Sequence, residues 1–485
     1  MEERKGFGSN FGFLMAAVGS AVGLGNIWGF PYKMGANGGF TFLLVYIFLG
    51  VTCGFIVMIS ELAMGRKTGK GAVEAYRIVS KKFKWMGWLG IASAFFILFF
   101  YCALGGYCIK YVVLNVGDLF NASFGAKAIA ATVESTSTGA GVFDALIGNP
   151  AEGVIYGLIF VAITMVIVMG GIGGGIEKVC SIGMPCLFVA LIICIIRALT
   201  LPGAVDGLKY MFVPGWAVAN GVIAEAPSFF NVLSTAGGQM FFSLSLGMGA
   251  MITYGSYLDK KENLEKNAVM IVVLDTLVAL MAGLCVIPAR FALDPEGALG
   301  GPSLLFVTMQ NVFQKMGSVG PIFGILFYLL VVFAAISSSI SLLEVITTHF
   351  VDQAREAGKG DKRKKYCVTA AALVGLGCIL VCADCLGGNN IAPWQLLGLE
   401  SYAGWNDCWL DFWDMLSEGI MMPLGALLMS LMIGWEIGPE VVKGECEATP
   451  GHKMGSFGFF KICTKVITPL IMLFILYGQI KSFFG

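Results

Sequence analysis

Asp275 is a carboxylate in the middle of an otherwise apolar run at 267 to 290. A charge at bilayer depth costs about 2.5–3.5 kcal/mol on insertion scales, so an acid there marks an ion or solute pathway unless it serves only as a buried hydrogen-bond partner. In two other runs the backbone itself is the reactive element. Residues 19 to 31 read GSAVGLGNIWGFP, with Gly19, Gly23, Gly25 and Gly29 followed by Pro31. Each glycine costs about 1 kcal/mol against alanine in a helix and proline removes a donor, so the helix breaks there. The freed carbonyls and amides are tolerated at membrane depth only inside protein or beside a polar cavity. Carbonyl oxygens suit a hard cation such as sodium, by the logic that governs calcium and magnesium. A second glycine-broken run, GGQMFFSLSLGMG, occupies 237 to 249, and a serine cluster lies in AAISSSISLLE at 334 to 344. Serines in membrane helices ordinarily bond their own backbone or a neighbouring helix, so the hydroxyls alone are weak evidence for ligation.

These residues need helices long enough to cross a bilayer. The chain is 57% hydrophobic and 13% charged over 485 residues, too little polar surface for an ordinary soluble domain. Apolar runs of spanning length fall at 11–34, 41–64, 88–116, 153–172, 178–200, 229–257, 267–290, 320–350, 366–385, 407–435 and 456–480. This predicts an all-α polytopic membrane protein of eleven spans. The first run is too long for a cleaved signal and has no small-residue cleavage site.

Lysine and arginine crowd alternate connections. With the N-terminus inside, the inner ones hold, among others, Arg66, Lys67, Lys70, Arg77, Lys260, Lys261, Arg355 and Lys362 to Lys365. The outer loops hold only Lys127, Arg197, Lys209, Arg290 and Lys315. That asymmetry predicts a cytoplasmic N-terminus in the cell membrane, and an odd number of spans then places the C-terminus outside. The expected partners are the lipid bilayer and a solute. Zero formal net charge argues against nucleic acid.

Most of the fourteen cysteines fall in apolar spans and read as small buried hydrophobes. Cys382, Cys385 and Cys408 lie near the outer ends of consecutive spans, where either a disulfide or free thiols would fit. The two histidines, His349 and His452, are too few and too far apart for a histidine metal site.

The two broken runs lie five spans apart. Spans one to five and six to ten would form two repeats of inverted topology, with the eleventh outside the symmetry. Glycines that merely let helices pack closely are the alternative. The chain divides into an N-terminal gate segment at 1–10, a first five-helix repeat at 11–200, an outer loop at 201–228, a second repeat at 229–436, and an inner loop with the last span at 437–485.

GSAVGLGNIW, ANGG at 36–39, ELAMGR at 61–66, GIEK at 175–178, FFSLSLGMGAMITYGSY at 241–257 and AAISSSISLLE together resemble the neurotransmitter:sodium symporter family, in its bacterial amino-acid transporter branch. The resemblance runs over nearly the whole chain. It implies a leucine-transporter-like fold with broken first and sixth helices, a geometry used as an example in general accounts of inverted repeats.

The resemblance implies two sodium sites. The first would use the Ala21 carbonyl, the side chains of Asn26 and Asp275, and Ser243. The second would use carbonyls of Gly19, Val22 and Ala334 with the hydroxyls of Ser337 and Ser338. Eukaryotic relatives place asparagine at the position of Asp275 and use a nearby chloride, so a fixed aspartate predicts chloride-independent transport. Glu61 would brace the broken backbone of spans one and six by accepting amide hydrogens.

By the same resemblance, the substrate is an amino acid held between the half-helices. Its carboxylate would meet the amides near Leu24 and Gly25, the Tyr101 hydroxyl and sodium; its amine would meet carbonyls of Ala21 and Phe242 and the Ser338 hydroxyl. Ser243 would stand beside both ion and substrate. Monoamine transporters carry an aspartate where this chain has Gly23, so a monoamine is not expected. The side-chain pocket would be Ser20, Ile97, Phe241, Phe242, Ser245, Met248 and Leu342. Met248 stands for a phenylalanine of the leucine-transporting relative, and bacterial relatives that accept bulky hydrophobic amino acids share a methionine there. A flexible thioether makes room for rings of different size.

Gates follow from the resemblance too. Arg4 and Asp352 match an inner ion pair, with Tyr257 nearby and Phe7 in place of a tryptophan. Outside, Phe242 and Tyr101 form the lid, with Gln239 and Asp414 above it. One departure stands out: relatives read N-x-x-R-F-P and this chain reads NIWGFP, with Gly29 where the gate arginine is expected. Lys33 lies one turn on, and Asp411, Asp414 and Glu418 at i, i+3 and i+7 form one acidic stripe on span ten; Lys33 is expected to replace the arginine, pairing with Asp414 or Glu418, the alternative being a lysine that only snorkels to water.

The expected activity is sodium-coupled import of a neutral hydrophobic, aromatic or large aliphatic, L-amino acid by alternating access, with two sodium ions. A sodium-independent or proton-coupled exchanger of the same fold, and a non-transporting amino-acid receptor, are the other readings. No nucleotide loop, nucleophile triad or metal cluster is present, so no enzyme is expected. Oligomeric state is left open.

Overall fold

The computed structural model describes residues 6–298, 301–393, 396 and 408–484. Fourteen helices carry the argument. In chain order they are α1 (Asn10–Ala21), α2 (Gly25–Ala36), α3 (Phe40–Thr68), α4 (Ala72–Val79), α5 (Met86–Leu119), α6 (Pro150–Met169), α7 (Ile172–Leu199), α8 (Phe229–Ser243), α9 (Ala250–Gly255), α10 (Leu264–Leu293), α11 (Gly317–Glu356), α12 (Arg363–Ala383), α13 (Trp409–Ile437) and α14 (Phe457–Phe483). No strand occurs among the described residues.

Nine of these helices are long and apolar enough to cross a membrane, among the described residues, and the bent pair α1 and α2 makes a tenth. The run expected as the sixth span is in two pieces, α8 and α9, each too short to cross alone. Among the described residues, nine continuous helices and one bent pair thus meet the test for a span, against the eleven spans expected.

The first break follows from the glycines. Ser9 caps α1, its hydroxyl accepting the Gly12 N–H at 3.0 Å. The helix ends at Ala21, and α2 restarts in a widened π turn over Gly25–Gly29, bent 49° from α1. The second break needs left-handed backbone at Ser245 (φ 54°), Gly247 (φ 80°) and Gly249 (φ 77°). A side chain at position 247 would run into the Met422 carbonyl, so only glycine fits that turn.

Helices α5, α6, α11 and α12 pack on one another as one group. The broken pair α1 and α2 lies against α7, α8, α10 and α11. Helix α3 packs on α9 and α10. The two breaks meet in the middle, where the Ser245 hydroxyl donates to the Ser20 carbonyl at 2.8 Å. All fourteen cysteines, Cys382, Cys385 and Cys408 among them, are free thiols in this structure.

Candidate ion and substrate site

Asp275 is fully buried on α10 and gathers three side chains. Asn26 Nδ2 donates to Asp275 Oδ1 at 2.7 Å, and the Ser243 hydroxyl lies 3.0 and 3.1 Å from the two carboxylate oxygens. The Tyr46 hydroxyl reaches Oδ2 at 3.3 Å. Asn26 Oδ1 accepts the Gly23 N–H at 2.9 Å, closing the turn of the first break around this cluster. The donor set is oxygen-rich, carries one negative charge and is dry, which fits a small hard cation.

A second oxygen cluster joins α11 to the end of α1. Ser337 Oγ donates to the Val22 carbonyl at 3.2 Å and the Ala334 carbonyl at 2.9 Å. Ser338 Oγ donates to the carbonyls of Gly19 at 3.3 Å and Ser20 at 3.0 Å. All five residues expected at the second sodium site therefore come together. The carbonyls of Gly19 and Val22 are available because α1 stops there instead of continuing its i→i−4 ladder.

Between the breaks lies a nearly closed cavity of about 10 Å³, lined by Ala21, Gly23, Gly25, Ile97, Tyr101, Phe242, Ser245, Met248, Ser338 and Leu342. The Tyr101 hydroxyl accepts the Leu24 N–H at 2.9 Å, and its ring stands 6.3 Å from that of Phe242, closing the cavity on one side. Four residues expected to touch substrate do not line this cavity. Ser20 turns its hydroxyl to Ser341 at 2.7 Å, Leu24 presents its amide to Tyr101, Ser243 points at Asp275, and Phe241 is fully buried. Gly23 lines it instead, and a methyl group there would strike Ser338 Oγ and the Tyr101 hydroxyl.

Glu61 accepts the Gly247 N–H at 2.7 Å, with the amides of Met251 and Ile252 also facing it. Its brace thus reaches the second break. The expected bond to the first break is absent among the described residues.

At the outer side, Gln239 Nε2 donates to the Gly25 carbonyl at 2.6 Å. Its Oε1 is buried without a partner and faces Gly29, whose Cβ, if present, would sit 2.7 Å away. Lys33 forms an ion pair with Glu418, the second of its two expected partners, and Asp414 lies beside the pair.

At the inner side, Arg4 lies outside the described residues. Asp352 accepts the Gly71 N–H at 3.0 Å. Phe7 packs edge-on against Phe13, Tyr254 and Tyr257. Beneath them is a network that the sequence reading missed. Glu344, fully buried on α11, takes the Tyr257 hydroxyl at 2.9 Å, the Thr348 hydroxyl at 2.8 Å and both Arg363 terminal nitrogens. Arg363 also donates to the Val168 carbonyl at 2.9 Å. The signal was available: Glu344 is an acid inside an apolar run, as Asp275 is. On the loop between α11 and α12, burial pushes the Asp361 carboxyl up, but the Arg363 amide and the Arg355 guanidinium outweigh it and hold the group below its ordinary value.

Two facing helix breaks with an intramembrane acid and two oxygen clusters are the geometry of an ion-coupled carrier. A family model described as the sodium:neurotransmitter symporter family matches residues 4–121 and 148–484. The chain belongs to this family. It is accordingly a sodium-dependent transporter and not an enzyme. The sodium-dependent transporter YhdH of Bacillus subtilis is 33% identical over 480 residues, covering 96% of each chain. A sodium-dependent transporter of Haemophilus influenzae is 30% identical over 485 residues, covering 98% of each. The solved structure of MhsT in complex with L-phenylalanine superposes with a TM-score of 0.82 at 32% identity, covering 98% of this chain and 100% of that one.

Proposed function

We propose that this symporter-family member imports a neutral hydrophobic L-amino acid, aromatic or large aliphatic, coupled to two sodium ions and independent of chloride. The observation that carries the reading is the pairing of an apolar cavity floored by Met248 with an adjacent cluster already holding a fixed negative charge, Asp275. The similarity to a relative solved with L-phenylalanine supports the substrate class.

Ala21, Asn26, Ser243 and Asp275 hold the first sodium in this reading, and Gly19, Val22, Ala334, Ser337 and Ser338 the second. Asp275 supplies the charge that a chloride would otherwise supply. The substrate carboxylate meets the turn at Gly25 and the Tyr101 hydroxyl; the amine meets carbonyls at the breaks and Ser338. Gly23 leaves no carboxylate for an amine lacking its own acid. Met248, Ile97 and Leu342 receive the side chain. Phe242 and Tyr101 shut the site outward, with Gln239 and the Lys33–Glu418 pair, flanked by Asp414, above them. Arg4, Asp352, Tyr257 and the Glu344–Arg363 network shut it inward.

Each sodium entering down the membrane potential contributes about 2.3 kcal/mol per 100 mV, so two ions support strong accumulation. The basic inner connections support a cell-membrane protein with eleven crossings, a cytoplasmic N-terminus and an outer C-terminus. The test is binding of radiolabelled L-amino acids to purified protein in sodium, in potassium, and with gluconate replacing chloride. Sodium-dependent, chloride-independent binding of phenylalanine, tyrosine, tryptophan or leucine is expected. Full binding in potassium would replace this reading by the exchanger.

A further inference from the structure

The connection from α4 to α5 carries a basic and aromatic patch that neither the ion clusters nor the gates use. Residues 78–88 read IVSKKFKWMGW, and no acidic residue occurs from 75 to 117. The loop is held in one shape. Ser80 Oγ accepts the Phe83 N–H at 3.0 Å and donates to Glu436, at the end of α13, at 2.9 Å, while the Phe83 ring packs into the core. Lys81, Lys82 and Lys84 are thereby turned outward and exposed, and none of them pairs with a carboxylate among the described residues. The basic groups just before them are already engaged, since Glu356 pairs with Lys70 at 3.3 Å and Arg77 at 2.8 Å. Large apolar side chains flank the lysines. Ile78, Trp85 and Trp88 are 59%, 48% and 52% exposed, and Trp435, next to Glu436, is 68% exposed. Two of the indoles are fixed: Trp88 stands edge-on to His349 at 4.7 Å, and Trp435 donates its N–H to the Lys465 carbonyl at 3.1 Å.

We propose that this loop is a binding site for an anionic phospholipid of the inner leaflet, its phosphate held by Lys81, Lys82 and Lys84 and its acyl chains laid against Ile78, Trp85 and Trp88. The inference goes beyond the transport reading and takes from it only the cytoplasmic side of the loop. Charge selects the headgroup. Three ammonium groups face the single carboxylate of Glu436, so the patch keeps an excess of positive charge where α5 begins and α13 ends. Unpaired lysines at the end of a membrane span attract anionic headgroups. The aromatic residues select a lipid over a soluble acidic protein. Indole rings beside lysines at the end of a span belong at headgroup depth, with the apolar body toward the chains and the polar edge toward water. A soluble partner would leave that depth to be filled by something else. Because Ser80 and Phe83 already fix the loop, little ordering is needed when the phosphate arrives.

The test places the full chain in phosphatidylcholine nanodiscs doped with a photoactivatable phosphatidylglycerol or, in parallel, a phosphatidylcholine bearing the same photoactivatable chain. Cross-links on residues 78–88 are counted by peptide mass spectrometry. Both faces of a nanodisc hold the same lipids, so the ratio of the two probes does not depend on which way the chain is oriented. Wild type should favour the anionic probe by about fivefold or more, the effect of roughly one lysine at a charged membrane surface. Lys81→Gln, Lys82→Gln and Lys84→Gln together should bring the ratio to within about twofold of one. These side chains are exposed and unpaired, so the fold is not at stake. Lys362→Gln, Lys364→Gln and Lys365→Gln together remove the same charge from the connection between α11 and α12 and should leave the ratio at 78–88 unchanged. Equal labelling of wild type by the two probes would overturn the proposal and leave the patch to an acidic soluble partner. A ratio lost equally in both triple variants would also overturn it, because diffuse surface charge would then suffice. Sodium-dependent L-phenylalanine binding on the same wild-type sample tests the transport reading separately. Its absence, with the lipid ratio intact, sinks the substrate assignment and leaves the lipid site standing.

Discussion

Lys33 reaches across the outer end of the site to Glu418, and the two side chains are 11% and 9% exposed. The contact sits one turn above Gly29, the position at which the family resemblance led to the expectation of a gate arginine. Lysine offers a point charge in place of a planar fork, so the pair holds with less directional specificity. Lys33→Gln leaves Glu418 charged and nearly dry beside Asp414, the costly way to break a buried pair. Apparent affinity for external substrate should fall by about tenfold, and Lys33→Gln with Glu418→Gln should recover most of it. Uptake kinetics in proteoliposomes decide this; unchanged affinity in the single variant would make Lys33 a solvated side chain with no role in the gate.

Gly23→Ala should abolish substrate binding while leaving the protein folded. The added methyl would strike Ser338 Oγ and the Tyr101 hydroxyl, the groups expected to meet the amine and carboxylate. Overpacking of this kind costs about 1–3 kcal/mol where neighbours can shift, but here the shift would carry binding groups away. Equilibrium binding of L-phenylalanine in sodium, with size-exclusion elution as a fold control, checks it.

Loss of the Ser337 hydroxyl by Ser337→Ala should raise the sodium concentration for half-maximal binding by about tenfold, equivalent to about 1.4 kcal/mol. Its oxygen lies within 3.2 Å of the carbonyls of Val22 and Ala334, so it is one of few ligands at that cluster. Ser339→Ala, two positions on, should leave the sodium curve unmoved, because that hydroxyl bonds Thr164 and its own helix at Ile336. Sodium titrations of binding on the two variants measure the contrast.

Much of the site was legible because its rules are local. Glycines in an apolar run announce a break, and a carboxylate at membrane depth announces a pathway, so both helix breaks and Asp275 could be read without coordinates. What stayed hidden depends on which helices meet. The serines at 337 and 338 look like those at 339 and 341; only the approach of α1 separates a hydroxyl aimed at the Val22 carbonyl from one bonded to Thr164. His349 had no visible partner because Glu74 lies 275 residues away in sequence. Glu344 met the same test as Asp275 and was passed over. Glu61 was expected to hold both breaks, but its carboxylate lies on the side of Gly247.

Met248→Phe should shift preference from aromatic toward smaller aliphatic substrates. Met248 is 2% exposed in the cavity wall, and its unbranched thioether can change rotamer where a ring would hold one shape. Competition of tryptophan against leucine for bound phenylalanine should move by about tenfold in favour of leucine, within the range a change of pocket shape supplies. An unchanged ratio would make Met248 packing alone.

Asp275→Asn tests the electrostatics of the first cluster directly. In wild type the carboxylate takes the Asn26 amide at 2.7 Å and the Ser243 hydroxyl at 3.0 Å, and contributes the one negative charge beside the expected sodium. Asparagine keeps the size and an acceptor but removes the charge, so sodium at that position would face only neutral oxygens in a dry site, where an unbalanced cation is costly. In gluconate medium, sodium-dependent uptake should drop at least about tenfold. Chloride can supply the missing charge only if there is room beside Ser243 and Tyr46, which already converge on the carboxylate. Rescue of the variant by chloride, with wild type indifferent to it, is the expected result of parallel uptake assays. A wild type that itself requires chloride would remove Asp275 from the role of fixed counter-charge.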